Sequence, residues 1–339
     1  MPLSSDAQIV ETSNGLVNAL RSAAGDAPHS FRPAHAKGHL LTGTFTPTPT
    51  ASTLTNAPHF TAPSTPITVR FSSSTGLPTI PDTDPAANPR GFAVRFHLPN
   101  DADGKRAHTD IIAHSTPYFP TRTGAEFLEF LSAAGAPNAS EAVPEFLARH
   151  PETVRFLQAE KKSPVSFATE TFYGVNAFRF VKDAGGKVTT LRYRVVPVAG
   201  DQHLDAEEVK TKEKNYLFDE VKERLQGGPI EFKLAAQIAQ EGDVTDDATE
   251  IWPEEKREIV ELGTISVEKW VGDGESAKEQ QRIIFDPIPR VEGVEASDDP
   301  MLEVRASVYL ISGRQRREAK GADAAAGHGA PTETVKTVT

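Results

Sequence analysis

Apolar residues along the chain follow two different spacings. In Ile67-Thr-Val-Arg-Phe71 and Gly91-Phe-Ala-Val-Arg-Phe96 every second residue is apolar, the period of a strand that buries one face. Asn176-Ala-Phe-Arg-Phe-Val181 and Thr190-Leu-Arg-Tyr-Arg-Val-Val196 repeat the pattern across Asp183-Ala-Gly-Gly-Lys187, which predicts a β-hairpin. Further strands are predicted at Gly228–Leu234, Ile265–Val267 and Gln281–Phe285. The strands do not alternate regularly with helices, so an antiparallel barrel or sandwich with inserted helices is expected, not a parallel sheet.

The helical spacing is confined to a few segments. Thr123-Gly-Ala-Glu126 reads as a capping box, followed by Phe127, Phe130 and Leu131 on one face. Ser140 opens a second helix carrying Val143, Phe146 and Leu147, and Pro151 suits the first turn of a third. One helix is predicted over 206–226, with Leu217, Val221 and Leu225 together and Gly227 as its stop. A last one runs from Pro300 to about Lys320 and ends at Gly321. Residues 1–30 read as an N-terminal arm, with Val10, Leu16, Val17 and Leu20 on a short amphipathic helix. The Thr/Pro-rich stretch 40–68 reads as linker or as extended wall; the recurrence of Leu41, Phe45, Leu54 and Phe60 favours the wall. The small, polar tail, 321–339, is expected to be disordered.

Composition narrows the function. The chain has 339 residues, room for roughly two average domains or one large barrel. With 36 basic and 47 acidic residues its formal charge is −11, unlike a nucleic-acid binder or a polybasic membrane anchor. It has no cysteine, which excludes disulfides, thiolate metal sites and cysteine nucleophiles. No apolar run approaches the ~20 residues of a membrane span, and the start lacks a basic, then apolar, signal pattern, so the cytoplasm is expected. Nucleotide-binding glycine motifs and GxSxG are missing.

The candidate chemistry begins in the last helix. Arg305, Tyr309, Ser312 and Arg316 share one stripe. A guanidinium one turn away attracts a phenolate, and a phenolate is a hard oxygen ligand for ferric iron. Taken alone, the pair also fits ordinary Tyr–Arg packing beside a solvated Arg-rich patch. His35, in Phe31-Arg-Pro-Ala-His-Ala-Lys-Gly38, is flanked by small residues and suits proton transfer near neutrality. His39 lies four residues on, but Pro33 and Gly38 argue against a helix presenting both to a metal. Alternation puts Arg70 and Ser72 on one face of their strand, where Ser72 can orient a histidine and Arg70 can pair an anion if that face lines a cavity.

Together these segments resemble the haem catalase superfamily over roughly residues 28–318, and most of all its short, catalase-related peroxidase subgroup. The resemblance rests on Arg32-Pro-Ala-His-Ala-Lys-Gly38, Val69-Arg-Phe-Ser72, Pro89-Arg-Gly-Phe-Ala-Val-Arg-Phe96, Phe285-Asp-Pro287, Met301-Leu302 and Arg305-x-x-x-Tyr309. It implies an α+β fold: an antiparallel eight-stranded catalase-type β-barrel, with inserted and C-terminal helices, over 31–320. It implies haem b, with Tyr309 as metal ligand and Arg305 beside it. His35 becomes the distal acid/base and Ser72 its support. Arg32, Arg70 and Arg316 fall near the haem carboxylates, Phe127 near its distal face, and Ala34 on a channel wall. The implied activity is reduction of hydrogen peroxide or organic hydroperoxides through an oxoferryl state, with a small organic electron donor. An organic hydroperoxide isomerase or dehydratase, a non-catalytic haem binder and a haem-free apolar-ligand barrel are the alternatives. The arm and the 40–68 segment are candidates for wrapping a second copy in a homodimer. In three places the chain departs from larger relatives. His114 stands where they carry an asparagine before Thr116-Pro117, which weakens the expectation of dismutation. Asn176 replaces a histidine, and there is no room for a flavodoxin-like C-terminal domain.

Overall fold

The computed structural model describes residues 2–25, 27–100, 104, 106–183 and 186–319. The chain starts with α1 (Ala7–Ala23), capped by the Asp6 carboxylate and packed by Leu16 and Val17. Strands β1 (Gly38–Pro47), β2 (Thr65–Ser72), β3 (Gly91–His97) and β4 (His108–His114) follow, then α2 (Gly124–Gly135), α3 (Ala139–Arg149) and α4 (Pro151–Gln158). Next come β5 (Phe172–Tyr173), β6 (Phe178–Val181), β7 (Val188–Pro197), α5 (Ala206–Lys210), α6 (Tyr216–Gly227), β8 (Ile230–Ile238) and β9 (Ile259–Trp270). The last elements are α7 (Asp273–Arg282), β10 (Val294–Ala296) and α8 (Pro300–Glu318).

Eight strands pair in the order β8-β9-β1-β2-β3-β4-β5-β7, and β7 pairs back onto β8. The sheet is therefore a closed antiparallel eight-stranded barrel without free edges. β6 and β10 extend from β7. The alternation in β2 and β3 does what it predicts: Val69, Phe71, Phe92, Val94 and Phe96 are buried in the barrel with Phe172 and Phe232. Their rings pack edge-on and tilted, Phe92 lying 5.4 Å from Phe232 and 5.3 Å from Phe172. The 40–68 stretch is extended wall only at its ends, in β1 and β2; between them it turns through two short helices, Ala51–Leu54 and Pro58–Thr61, and Leu41, Phe45 and Phe60 are fully buried.

The opposite face of β1–β4 is also covered. There Leu40, Ala93 and Ile112 pack on Ile283 and Phe285 in a second apolar cluster, while α8 packs against α1, α2 and α7. A helical layer thus roofs one outer wall of the barrel, and polar side chains on that wall are buried instead of solvated. α1 packs on its own chain's α8 and α2. The tail, 321–339, lies outside the described residues, as do residues 184–185 of the hairpin turn.

Three sequence expectations are corrected. Gln281–Phe285 is not a strand: α7 runs to Arg282, and Ile283–Phe285 continues as irregular chain. Its carbonyls are taken by arginine side chains, at Ile283 by Arg316 (2.8 Å) and at Ile284 by Arg95, leaving no ladder to join. Residues 206–226 form two helices, α5 and α6. The break carries tertiary bonds: the Asp82 amide donates to the Lys214 carbonyl (2.7 Å), and the Asp82 carboxylate accepts the Leu217 amide (3.1 Å). The third correction is to omission. β4 has apolar and polar residues on both faces, and α7 buries Ser276 and Gln280 instead of an apolar stripe, so neither shows a clean period.

Candidate functional site

The site lies between the outer wall of β1–β4 and α8. Register aligns Gly38, Ser72, Gly91 and His114 as directly opposed residues on four adjacent strands. Opposed residues in an antiparallel ladder project to the same face. His35 lies over this row. Its Nδ1 is 3.2 Å from the Ser72 hydroxyl. A Cβ on Gly91 would sit 2.4 Å from Ser72 Oγ and 2.8 Å from His35 Nδ1, so only glycine leaves room for that contact.

His35 has a left-handed backbone, φ 54, uncommon and costly for a residue with a side chain. Its surroundings hold it there. Its carbonyl accepts from Arg70 Nη2 at 2.8 Å, and the Ala36 amide donates to the Thr75 carbonyl at 3.0 Å. Lys37 is tied to Asp82 at 2.8 Å. His35 and Arg32 lie deep in the protein, yet both keep some accessible surface. Burial, reinforced by Arg70, Arg32, Arg305 and Arg90, lowers the His35 pKa to about 4. The ring is neutral at pH 7 and free to accept a proton.

On the roof, one face of α8 carries the other components. Arg305 donates to Tyr309 Oη from Nη2 (3.1 Å) and Nε (3.3 Å). Two N–H groups converging on one oxygen leave the phenol oxygen set up as an acceptor. Behind Arg305 runs a relay that the sequence did not disclose. Arg305 Nη1 donates to Asn176 Oδ1, Asn176 Nδ2 donates to Asp299 Oδ2 (2.7 Å), and Asp299 Oδ1 caps α8 by accepting the Met301 amide (2.9 Å). The only signals for it were the Asp299-Pro300 helix start and Asn176 as a polar residue in a strand.

Arg32, Arg70 and Arg316 gather between these two sides. Burial, then Arg70, holds Arg32 well below the ordinary guanidinium range, and Tyr309 acts on it in the opposite sense. Burial and Arg316 lower Arg70 to about 9; burial and Arg32 lower Arg316. Guanidinium groups stay protonated in proteins, so these shifts register an uncompensated electrostatic cost. Among the described residues none of the three is ion-paired. Arg70 is fixed by Gln280 Oε1 (2.8 Å), and Arg316 by Ser312 Oγ (2.7 Å) and the Ile283 carbonyl (2.8 Å). Guanidinium groups without a carboxylate partner are able to donate charge-assisted bonds to an anion.

The remaining sequence candidates divide. Phe127 on α2 meets Phe119 edge-on at 5.2 Å, and Phe119 in turn faces His114 at 6.5 Å, which puts it one ring away from the row. Ala34 stands next to His35 and is partly accessible. His39 turns away: it stacks on Trp270 at 3.5 Å and its Nε2 meets the Val271 carbonyl at 2.6 Å. Among the described residues no group of three or more His, Asp or Glu side chains is placed to hold a bare metal ion.

A closed antiparallel barrel, carrying an imidazole on its outer wall and an arginine-supported tyrosine on the helix that roofs it, defines a catalase-type protein. Comparison with known proteins agrees. The Catalase family model matches residues 30–323. The chain is 34% identical over 312 residues to a "Catalase-related peroxidase" of Mycolicibacterium paratuberculosis, covering 90% of this chain and 95% of that one. It is 30% identical to a "Catalase-related peroxidase" of Synechococcus elongatus, covering 83% and 82%. Catalase A from Saccharomyces cerevisiae has a similar structure, with a TM-score of 0.74 at 21% identity, over 89% of this chain and 64% of that one. The chain belongs to the catalase family.

Members of that family bind haem, and the residues present fit one: a phenol oxygen prepared as an acceptor, three cations without a carboxylate partner among the described residues, and a neutral imidazole that keeps accessible surface.

Proposed function

We propose that this catalase-family oxidoreductase is a haem peroxidase with weak catalase activity, acting on hydrogen peroxide or organic hydroperoxides and a small organic electron donor. Haem b, when bound, supplies the redox-active iron that takes oxidising equivalents from the peroxide. Tyr309 Oη holds that iron, and Arg305 holds the charge on the oxygen. Arg32, Arg70 and Arg316 pair with the haem carboxylates, which offset the repulsion among the three cations. Phe127 and Phe119 form an apolar wall on the His35 side.

His35 moves the proton. Its Nδ1–H donates to Ser72 Oγ, which keeps the Nε2 lone pair free. Nε2 would take the proton from one peroxide oxygen and return it to the other, which makes water the leaving group, and haem, when bound, would supply the two electrons that the remaining oxygen needs. A neutral ring is what this needs, and burial among arginines supplies it. Dismutation further requires a second peroxide to surrender its hydrogens. His114 offers it no acceptor, because its Nδ1 already receives the Thr116 hydroxyl (2.6 Å) and amide (3.4 Å). A simple haem carrier has no use for an imidazole held at positive φ against Ser72.

The carrying observation is that Arg70, which grips the His35 carbonyl (2.8 Å), and Arg316, on the helix that carries Tyr309, are both bonded to Gln280 (2.8 and 3.2 Å), which supports reading the two halves as one site. Haem-loaded protein is expected to oxidise a phenolic dye with hydrogen peroxide faster than it releases oxygen. His35→Ala is expected to keep the haem and lose ~10²–10⁴-fold in turnover; full activity in that variant removes His35 from the mechanism.

A further inference from the structure

The positive charge around Arg316 exceeds what the carboxylates of one haem can offset. Arg32, Arg317 and Arg21 all act on Arg316, and no carboxylate among the described residues acts in the opposite sense. Each of the four is fixed by neutral oxygens only. Arg21 meets Gln315 Oε1 (2.8 Å) and Arg317 the Arg282 carbonyl (2.6 Å), while Arg32 and Arg316 share the Ile283 carbonyl (3.3 and 2.8 Å). None of them is ion-paired among the described residues. In a chain of formal charge −11, this is a local field of the opposite sign, one that attracts anions.

The same region holds a crevice, lined by Ser30, Phe31, Arg32, Ala277, Gln280 and Gln281 among others. Its space is small, about 20 Å³, room for one water-sized group such as a carboxylate oxygen. Two polar atoms there lack partners. Ser30 is 6% exposed and its Oγ makes no hydrogen bond, and the buried Gln281 Nε2 makes none either. Native proteins rarely leave such atoms unpaired without a reason. A hydroxyl, an amide N–H and a guanidinium can all donate to an oxyanion, and no lining residue is acidic. Ala277 and Gln281 form one row of α7, next to the exposed row of Lys278 and Arg282. The crevice therefore lies at the edge of the α7 surface.

We propose that this crevice binds the carboxylate of the electron donor, and that the donor is a small organic acid, in the simplest case a phenolic acid. This rests on the haem peroxidase reading and names the class of its reductant. The donor docks from the α7 side, beside the arginines assigned to the haem carboxylates, and leaves the His35 side to the peroxide. Each donor gives up one electron and its phenolic hydrogen. Two donors thus reduce one hydrogen peroxide to two waters, or one organic hydroperoxide to an alcohol and water, and depart as phenoxyl radicals. The carboxylate takes no part in that exchange. Ser30 Oγ and Gln281 Nε2 hold it, and the rim of Arg21, Arg282 and Arg317 draws the anion in against the acidic remainder of the chain.

The acid para-hydroxycinnamate and its methyl ester carry the same phenol and differ in the carboxylate. Each is titrated calorimetrically into the haem-loaded ferric protein, then assayed as donor with hydrogen peroxide. The acid is expected to bind about 10-fold or more tightly than the ester, and to weaken as salt is raised. Ser30→Ala is expected to weaken the acid about 10-fold, the loss of a hydrogen bond to a charged group. Gln281→Glu puts a carboxylate in the crevice and is expected to abolish acid binding. In both variants the KM for the acid rises relative to that for the ester. Equal binding of acid and ester by wild type overturns the inference, as does unchanged acid affinity in both variants once they load haem. Inorganic phosphate that binds as tightly as the acid also overturns it, since the crevice is then a general anion site. In each of these cases, turnover of the ester leaves the haem peroxidase reading standing. Wild-type protein that takes up no haem, or oxidises neither compound, overturns that reading and the inference with it.

Discussion

The site depends on single side chains held in states they would not choose alone. His35 adopts φ 54 with Arg70 gripping its carbonyl, and it remains neutral because it is buried, with the charges of Arg70, Arg32, Arg305 and Arg90 adding to the effect. The peroxidase pH profile should carry that mark. Proton acceptance requires the neutral ring, so activity is full above the His35 pKa and falls as pH drops through it. With that pKa lowered toward about 4, the acid limb of kcat/KM is expected well below the 6.5 of an ordinary imidazole. A limb at 6.5 or higher, assigned to His35 by its loss in His35→Gln, would contradict the described environment. Gly91 is a passive counterpart: its missing side chain is what allows Ser72 and His35 to meet.

Helix α8 joins ligand and support in one element. Its stripe Arg305–Tyr309–Ser312–Arg316 was legible from spacing alone, and the structure pairs it in two one-turn contacts, Arg305 to Tyr309 and Arg316 to Ser312. What spacing could not reveal is the brace. Asp299 both caps α8 and receives Asn176, which receives Arg305. Asn176 is 123 residues away from Asp299 in sequence, and no periodicity links residues across that span. Asp299→Ala is expected to cost about 1–2 kcal/mol of stability through the lost cap. It should also loosen haem retention, because Arg305 loses the far end of its support. A haem off-rate equal to wild type, measured by transfer to an excess acceptor protein, would show that the relay does not reach Tyr309. The α7 segment was unreadable for the opposite reason: it buries polar Ser276 and Gln280, and Gln280 serves to hold Arg70 and Arg316.

At the level of the molecule, the barrel was legible and its occupied outer face was not. Alternation in β2 and β3 assigns Phe71, Phe92 and Phe96 to a core. It leaves Arg70 and Ser72 to a polar face that, by default, would meet water. They are buried because a helical layer covers that wall, and this long-range fact became available only through the wording shared with a known family. The functional reading therefore rests on two surfaces meeting: a strand wall that supplies proton chemistry and a helix that supplies an oxygen ligand. The most direct test compares the ferric absorption spectrum and haem stoichiometry of wild-type protein with Tyr309→Phe. The account predicts that wild type binds one haem per chain and that Tyr309→Phe shifts the Soret band or loses haem, while His35→Ala retains it. A Tyr309→Phe protein with the wild-type spectrum and full haem content would contradict it.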